Sequence, residues 1–258
     1  MKLTKEFAEI IGMFAADGCL QKDYICMWGN IKEDKDYYDK VVCPLFSKVF
    51  NRKVIAHEKR SNSVYGFYIC SKKIVEIFKN LGFTNNKTYN VEVPKEILNS
   101  ENKKIIGAFI RGFTDCDGCL YFQRRKGKYK EFHLKYHSYP KIEIKVVSKN
   151  IIRDISILLN KLNIAHSTYT YYSKNIKWKD QQTLVIRGNI RLEKYIQKIG
   201  FNNYAKITKY EIWKKYGMCP TYTTINQREL ILKDKLNPFS LYKVDQTGFE
   251  PATPSLEG

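Results

Sequence analysis

Two stretches of this chain carry one pattern: Ile10-Ile11-Gly12-Met13-Phe14-Ala15-Ala16-Asp17-Gly18 and Ile110-Arg111-Gly112-Phe113-Thr114-Asp115-Cys116-Asp117-Gly118. Each reads as an apolar helix that ends on an acid followed by glycine. Small residues recur at every fourth position, Ala8, Gly12 and Ala16 in one copy and Ala108, Gly112 and Cys116 in the other, which lines up one narrow face on each helix. Two such faces can pack closely against each other at a helix interface. Gly18 and Gly118 are expected to supply the positive φ that ends a helix, leaving Asp17 and Asp117 together at the same end of the pair.

That placement is unfavourable by itself. A helix C-terminus carries about half a negative charge, so each carboxylate faces an unfavourable dipole and, in the packed pair, the other carboxylate. Something positive should compensate. Paired carboxylates without His or thiolate ligands suit a hard divalent cation such as Mg2+, which keeps several waters and can activate one of them beside a phosphate. The residues therefore point to phosphodiester chemistry.

On these motifs the chain resembles the LAGLIDADG homing endonucleases, in the single-chain form that carries two motifs, over approximately residues 5–215. The resemblance implies an α+β fold of two pseudo-symmetric αββαββα halves, with saddle-shaped antiparallel sheets and the motif helices at the interface. It implies that Asp17 and Asp117, with the adjoining Gly18 and Gly118, hold Mg2+, with Mn2+ as a substitute. At the sixth motif place Ala15 stands where the second copy keeps Asp115, a place that is not the essential ligand in the family. A basic residue near the scissile phosphate is also expected, and Lys87 and Lys206 occupy that position, with Lys95 and Lys209 as neighbours. Short 3′ overhangs, a monomeric enzyme and a role in spreading a mobile element, such as an intron, belong to the same set of expectations.

The bulk properties agree. The 258 residues are 43% hydrophobic, enough for one or two domains with a sizeable core, and 45 Lys and Arg against 26 acids give a formal charge of +19. That charge calls for a polyanionic partner. No apolar run approaches the roughly 18 residues of a membrane span, and Met1-Lys2-Leu3-Thr4-Lys5-Glu6 has no signal-peptide core. The expected setting is the cytoplasm or an organelle, not the secretory route. Seven cysteines, an odd number, read as free thiols; Cys116 and Cys119 form a C-x-x-C with no second pair at zinc-ribbon spacing. The chain begins at Met1 and ends at Gly258 with no terminal His-Asn splicing pair, which disfavours an intein-borne enzyme.

Periodicity divides the chain into a first half at 1–99, a second at 100–216 and an extension at 217–258. In the first half, an alternating run ends near Trp28-Gly29-Asn30; a helix is expected over 36–50, strands over 52–57 and 64–70, and a helix over 74–81. The second half repeats this with strands over 120–123, 132–147, 167–172 and 183–187 and helices over 150–162 and 192–199. A local echo supports the duplication: Leu81-Gly82-Phe83-Thr84-Asn85-Asn86-Lys87 matches Ile199-Gly200-Phe201-Asn202-Asn203-Tyr204-Ala205-Lys206 with one residue inserted. Asn30 and Ser148 could each hold water or metal, or cap a helix. In the extension a short helix is expected over 227–236 and disorder from about 240.

The strands should form the reading surface. Lys141, Glu143 and Lys145 alternate with Ile142, Ile144 and Val146, as His133, Lys135 and His137 do with Phe132, Leu134 and Tyr136. Gln21, Lys22, Tyr24, Trp28, Arg124, Arg125, Lys126 and Lys128 lie on or beside the first hairpins. Such a ribbon fits the major groove of double-stranded DNA. The function expected is site-specific cleavage of both strands of a long, non-palindromic duplex. The alternatives are an RNA-binding maturase that helps its host intron fold, and a catalytically silent DNA-binding regulator.

Overall fold

A computed structural model describes residues 1–59, 63–85, 87–124, 136–173 and 179–242. Thr4 caps α1 (Lys5–Asp17) by accepting a hydrogen bond from Phe7 N at 3.2 Å. The chain then forms β1 (Gly18–Leu20) and β2 (Tyr24–Asn30), a hairpin closed by a bond from Gln21 N to Tyr24 O of 2.9 Å. Next come α2 (Ile31–Tyr37), a π turn (Tyr38–Val42), α3 (Cys43–Phe50), β3 (His57–Lys59), β4 (Val64–Cys70) and α4 (Lys72–Asn80). Two short helices, α5 (Lys87–Asn90) and α6 (Lys95–Leu98), lead into the second half. It repeats the order as α7 (Lys103–Asp117), β5 (Gly118–Arg124), β6 (His137–Val146), α8 (Lys149–Lys161), β7 (Ser167–Tyr171), β8 (Gln181–Arg187) and α9 (Asn189–Lys198). Two more helices, α10 (Tyr204–Tyr216) and α11 (Ile225–Leu232), follow.

Each half holds a four-stranded antiparallel sheet, ordered β1-β2-β4-β3 and β5-β6-β8-β7. The α+β fold of two like halves is the one the sequence predicts. Strand alternation decides which sheet face is covered: Ile142 and Ile144 are buried and pair with Ile186 and Leu184, while Lys145 beside them is exposed. In the first half the covered face meets an aromatic core in which Phe14 lies 4.0 Å from Phe78 and 5.2 Å from Phe83, ring centre to ring centre. The echo between the halves is structural as well. Gly82 and Gly200 both take positive φ, +90° and +73°, and each is followed by a buried phenylalanine.

Several expectations are corrected. Gly18 and Gly118 are not left-handed caps: their φ values are −68° and −89° with extended ψ, so each motif helix passes directly into a strand. What excludes a side chain there is space, because a Cβ on Gly18 would lie 2.2 Å from the Phe14 ring and one on Gly118 2.3 Å from the Thr114 methyl. The helix expected over 36–50 begins earlier, at Ile31, because Asn30 accepts from Lys32 N and Glu33 N. Ser148 likewise caps α8 and donates to Val91 O at 2.7 Å, so both open assignments resolve as caps. The strand expected over 52–57 is reduced to His57–Lys59: after left-handed Asn51, Arg52 N and Val54 N bond to Ser47 O and Oγ rather than to a neighbouring strand.

The extension is more ordered than its composition suggests. Thr224 and Gln227 form a reciprocal capping box at the start of α11, two residues earlier than expected. Arg228 on that helix is 0% exposed and donates to Ala205 O at 3.1 Å. Disorder expected from about 240 is corrected at its near edge, since Tyr242 stacks on His137 at 5.4 Å and its hydroxyl accepts from His137 N and donates to Cys219 O. Residues 243–258 lie outside the described residues. Tyr242→Ala, which removes a stacked ring and two hydrogen bonds, is expected to lower Tm by about 5 °C in a thermal melt.

Candidate active site at the motif-helix ends

The two motif helices meet through their glycines. A Cβ on Gly12 would lie 2.1 Å from Phe109 O, and one on Gly112 would lie 2.2 Å from Glu9 O. The backbones are therefore in contact, reciprocally, with Ala8 and Ala108 buried on the same faces and Ala16 and Cys116 packed on the core toward the helix ends. The four-residue recurrence of small side chains exists for this approach.

An ionic clamp crosses the contact. Arg111 donates through Nε to Glu9 Oε1 at 2.9 Å and through a second nitrogen to Oε2, and its third nitrogen reaches Ile199 O at 3.1 Å. Burial opposes the Arg111 charge, but the paired Glu9 outweighs it and its pKa is held above the ordinary value. The loop after α9 then latches the pair. Asn202 Nδ2 donates to Glu9 Oε1 at 2.5 Å, Asn202 N to Asp115 Oδ2 at 2.7 Å, and Asn203 Nδ2 to Asp115 O at 3.1 Å. Asp115, 1% exposed, is thus a locking residue inside the interface.

Burial pushes the Asp115 carboxyl up to about 7, with Lys206 and the Asn202 amide working against the rise. The folded state therefore holds this proton more tightly than the unfolded chain, where an aspartate titrates near its ordinary 3.8. From this group, stability is greatest in acid, falls as pH rises from about 4 to about 7, and is level above that. Asp115→Asn cannot ionise, so its denaturation midpoint, compared between pH 5 and pH 8, is expected to vary less than that of the unaltered protein.

Asp17 and Asp117 are the last residues of the two motif helices. Gly12 lies against Phe109 and Phe113 of the other helix and Gly112 against Glu9 and Met13, so the two helices run parallel and in register and Asp17 and Asp117 finish them at the same end. The Cys116 thiol is pushed well above its usual range by burial first, and then by the negative charges of both Asp17 and Asp117. Held protonated, that thiol is a poor ligand. Among the described residues no group of three or more His, Cys, Asp and Glu forms a metal cluster. A cation at this end would thus have two carboxylates from the protein and oxygen from main chain, phosphate or water for the rest, a donor set that fits Mg2+ or Mn2+ better than Zn2+.

The lysines separate. Lys206, on the first turn of α10, is 8% exposed and donates through Nζ to Asp115 O at 2.6 Å, two residues from Asp117. Its charge meets the electronegative end of α7. Lys209, one turn on, has its pKa lowered by burial, and Cys119 and Glu33 act on it in the opposite sense. Lys95 is exposed at the start of α6. The backbone of Lys87 opens α5, but its side chain lies outside the described residues.

The expected nucleic-acid contacts fall on the open faces and ends of the sheets. Tyr24 and Trp28 project from β2, and Lys22 is exposed on the hairpin turn, where Gln21 donates to Cys19 Sγ at 3.2 Å. In the second sheet Lys141 stands in register between Tyr121 and Arg187, and Lys145 lies 5.2 Å from the Tyr171 ring. Arg124 ends β5 at a register shift opposite His137. Arg125, Lys126, Lys128, His133 and Lys135 lie outside the described residues. Sequence reasoning overlooked the Glu9–Arg111 clamp, the Asn202–Asn203 latch and the face residues His57, Lys59, Tyr68, Tyr121 and Arg187. The Gly-Phe and Asn-Asn pairs shared by Gly82-Phe83-Thr84-Asn85-Asn86 and Gly200-Phe201-Asn202-Asn203 were the available signal for the latch.

Comparison with known proteins bears on the fold. Residues 104–200 match the LAGLIDADG-like domain family. The chain is 26% identical over 235 residues to the replication factor C small subunit of Methanocaldococcus jannaschii. It is 30% identical over 201 residues to a subunit of the A-type ATP synthase of Pyrococcus abyssi. These stretches cover 90% and 77% of this chain but only 12% and 17% of those relatives. Among solved structures, the LAGLIDADG homing endonuclease I-LtrWI, bound to target DNA, superposes with a TM-score of 0.52 at 15% identity, covering 84% of this chain and 90% of that one. Residues 104–200 thus match a LAGLIDADG-like domain, and the chain as a whole shares its fold with a LAGLIDADG homing endonuclease.

Proposed function

We propose that this chain is a monomeric, site-specific endonuclease that hydrolyses one phosphodiester bond in each strand of a long, non-palindromic DNA duplex and depends on Mg2+, with Mn2+ as a substitute. The observation that carries the reading is that two parallel helices whose backbones touch end on Asp17 and Asp117, with the Lys206 ammonium bonded to Asp115 O two residues before Asp117. The formal charge of +19 and the fold shared with a DNA-bound homing endonuclease support DNA as the polymer.

Asp17 and Asp117 would hold the divalent ion, which when bound supplies positive charge to a scissile phosphate and makes an attacking water more acidic. The chain's own contribution is placement. The Gly12–Gly112 contact fixes the separation of the helices, and Asp115, locked by Asn202 and Asn203, holds the end of α7 in register with the loop after α9. Lys206, fastened to Asp115 O, brings a positive charge next to the site, where it offsets the helix end and attracts a phosphate.

A cleavage screen against DNA spanning the gene's own insertion site, with and without Mg2+, tests the proposal. Linear product that requires the cation supports it. Binding of intron RNA with no cleavage of any DNA would favour the maturase, and DNA binding without cleavage the silent regulator. Duplex binding is also expected to be steeply salt-dependent: neutralising about eight phosphates gives a log–log slope near −7. A measured slope shallower than about −3 would contradict an extended duplex footprint.

A further inference from the structure

The open faces of the two sheets are built from different chemistry. On the first, strand register brings Trp28 and His57 together across Gly66, which pairs with both. Their rings lie 5.4 Å apart edge to face; His57 continues to Tyr68 at 5.6 Å, and Tyr68 to Tyr24 at 6.4 Å. A Cβ on Gly66 would lie 2.0 Å from Met27 O, so a glycine is needed where the three strands pair. Tyr68 is 56% exposed and Tyr24 38%, so the cluster is an apolar surface presented to solvent. Lys59 stands at its edge, 5.7 Å from the Trp28 ring.

On the second sheet the corresponding surface interleaves cations with its rings: Tyr121, Tyr169 and Tyr171 share the face with Lys141, Lys145 and Arg187. Lys141 is flanked in register by Tyr121 and Arg187, and Lys145 projects from the same face of β6. Lys141 has its pKa lowered by burial and then by the neighbouring Arg187 charge. Two cations side by side are unfavourable in the free protein and are relieved by an electron-rich partner. Glu143, the acid between Lys141 and Lys145 on this face, accepts from Tyr169 at 3.3 Å.

Base edges in the major groove sort by the same chemistry. Thymine offers an apolar methyl, and guanine offers two acceptors, O6 and N7, that suit Lys and Arg. We infer that the two halves of this protein read their half-sites by different means: the first sheet packs its Trp28, His57, Tyr68 and Tyr24 cluster on thymine methyls, and the second sheet donates from Arg187, Lys141 and Lys145 to guanine. The inference rests on the proposed DNA reading and assigns its specificity. The occupant is one duplex, favoured over other polymers by the charge of +19 and by two open faces carried on one rigid helix pair.

The test begins with selection of bound duplexes from a randomised library by the full chain in Ca2+. Tyr68→Ala, Trp28→Ala and Arg187→Ala then identify which half of the selected site each face reads. Replacing thymine by uracil removes only the methyl, and replacing guanine by 7-deazaguanine removes only N7. Uracil is expected to weaken binding roughly tenfold in the half whose preference Tyr68→Ala or Trp28→Ala relaxes, and 7-deazaguanine roughly tenfold in the half that Arg187→Ala relaxes. Each probe should have little effect in the other half. Equal responses of both halves to both probes, or relaxation of one and the same half by Tyr68→Ala and Arg187→Ala, would overturn the inference while leaving DNA binding intact. Selection of no duplex at all would instead remove the DNA reading on which it stands. Tyr68 is exposed enough that its variant keeps the test valid even where Trp28→Ala fails to fold.

Discussion

Asp17→Asn and Asp117→Asn should each abolish double-strand cleavage, with a loss of roughly a thousandfold or more, while DNA binding survives or tightens. Asparagine keeps the shape and removes one of the two charges that would hold the cation. A loss of several kcal/mol in stabilising a transition state corresponds to about three orders of magnitude in rate. Binding moves the other way because each carboxylate repels the phosphate brought beside it. Ca2+ is expected to imitate the variants, supporting binding without cutting, since its looser coordination orients water poorly. The measurement is linearisation of a target plasmid in Mg2+ beside a gel-shift titration. Near-unaltered linearisation by both single variants would show that the shared-cation mechanism is wrong.

The second large effect belongs to the helix contact. Gly12→Ala and Gly112→Ala each add a methyl well inside van der Waals contact with a main-chain oxygen on the other helix, 2.1 Å from Phe109 O and 2.2 Å from Glu9 O respectively. A side chain in the way can rotate; a backbone carbonyl cannot, so the helices must separate. The expected cost exceeds about 3 kcal/mol, at or above the upper end of ordinary overpacking. It should be read as a lowered denaturant midpoint. Cleavage by any folded fraction should fall as well, because separation of the helices also separates Asp17 from Asp117. A midpoint unchanged within error would show that the two backbones are not in contact.

The duplicated fold was legible because its signals are local and periodic. Small residues every fourth position announced the helix pair, and alternation around Ile142 and Ile144 announced which face of the second sheet is covered. The glycines after the aspartates misled because Asp-Gly at a helix end suits a left-handed cap, whereas here the crowding comes from Phe14 and Thr114 one turn earlier in the same helix. Residues 52–56 misled for a related reason: their composition suits a strand, but the side chain of Ser47 takes the amide of Val54. The site was legible at the two acids and incomplete elsewhere. Glu9, Arg111 and Asn202 join parts of the chain far apart in sequence, and the ring cluster of Trp28, His57 and Tyr68 exists only once the register of three strands is fixed. No window along the sequence contains either arrangement.

The clamp across the motif helices decides which halves can pair. Glu9 and Arg111 do not occupy equivalent places in the duplication: aligned on Gly12 and Gly112, Glu9 corresponds to Phe109 and Arg111 to Ile11. The glycine contact is symmetric and would accept two identical helices. The ion pair would not, because two first halves brought together would bury Glu9 twice with no arginine, and two second halves would bury Arg111 twice with no glutamate. Unpaired buried charges of this kind cost several kcal/mol. Each half is therefore matched to the other and mismatched to its own copy, which disfavours any pairing of like halves.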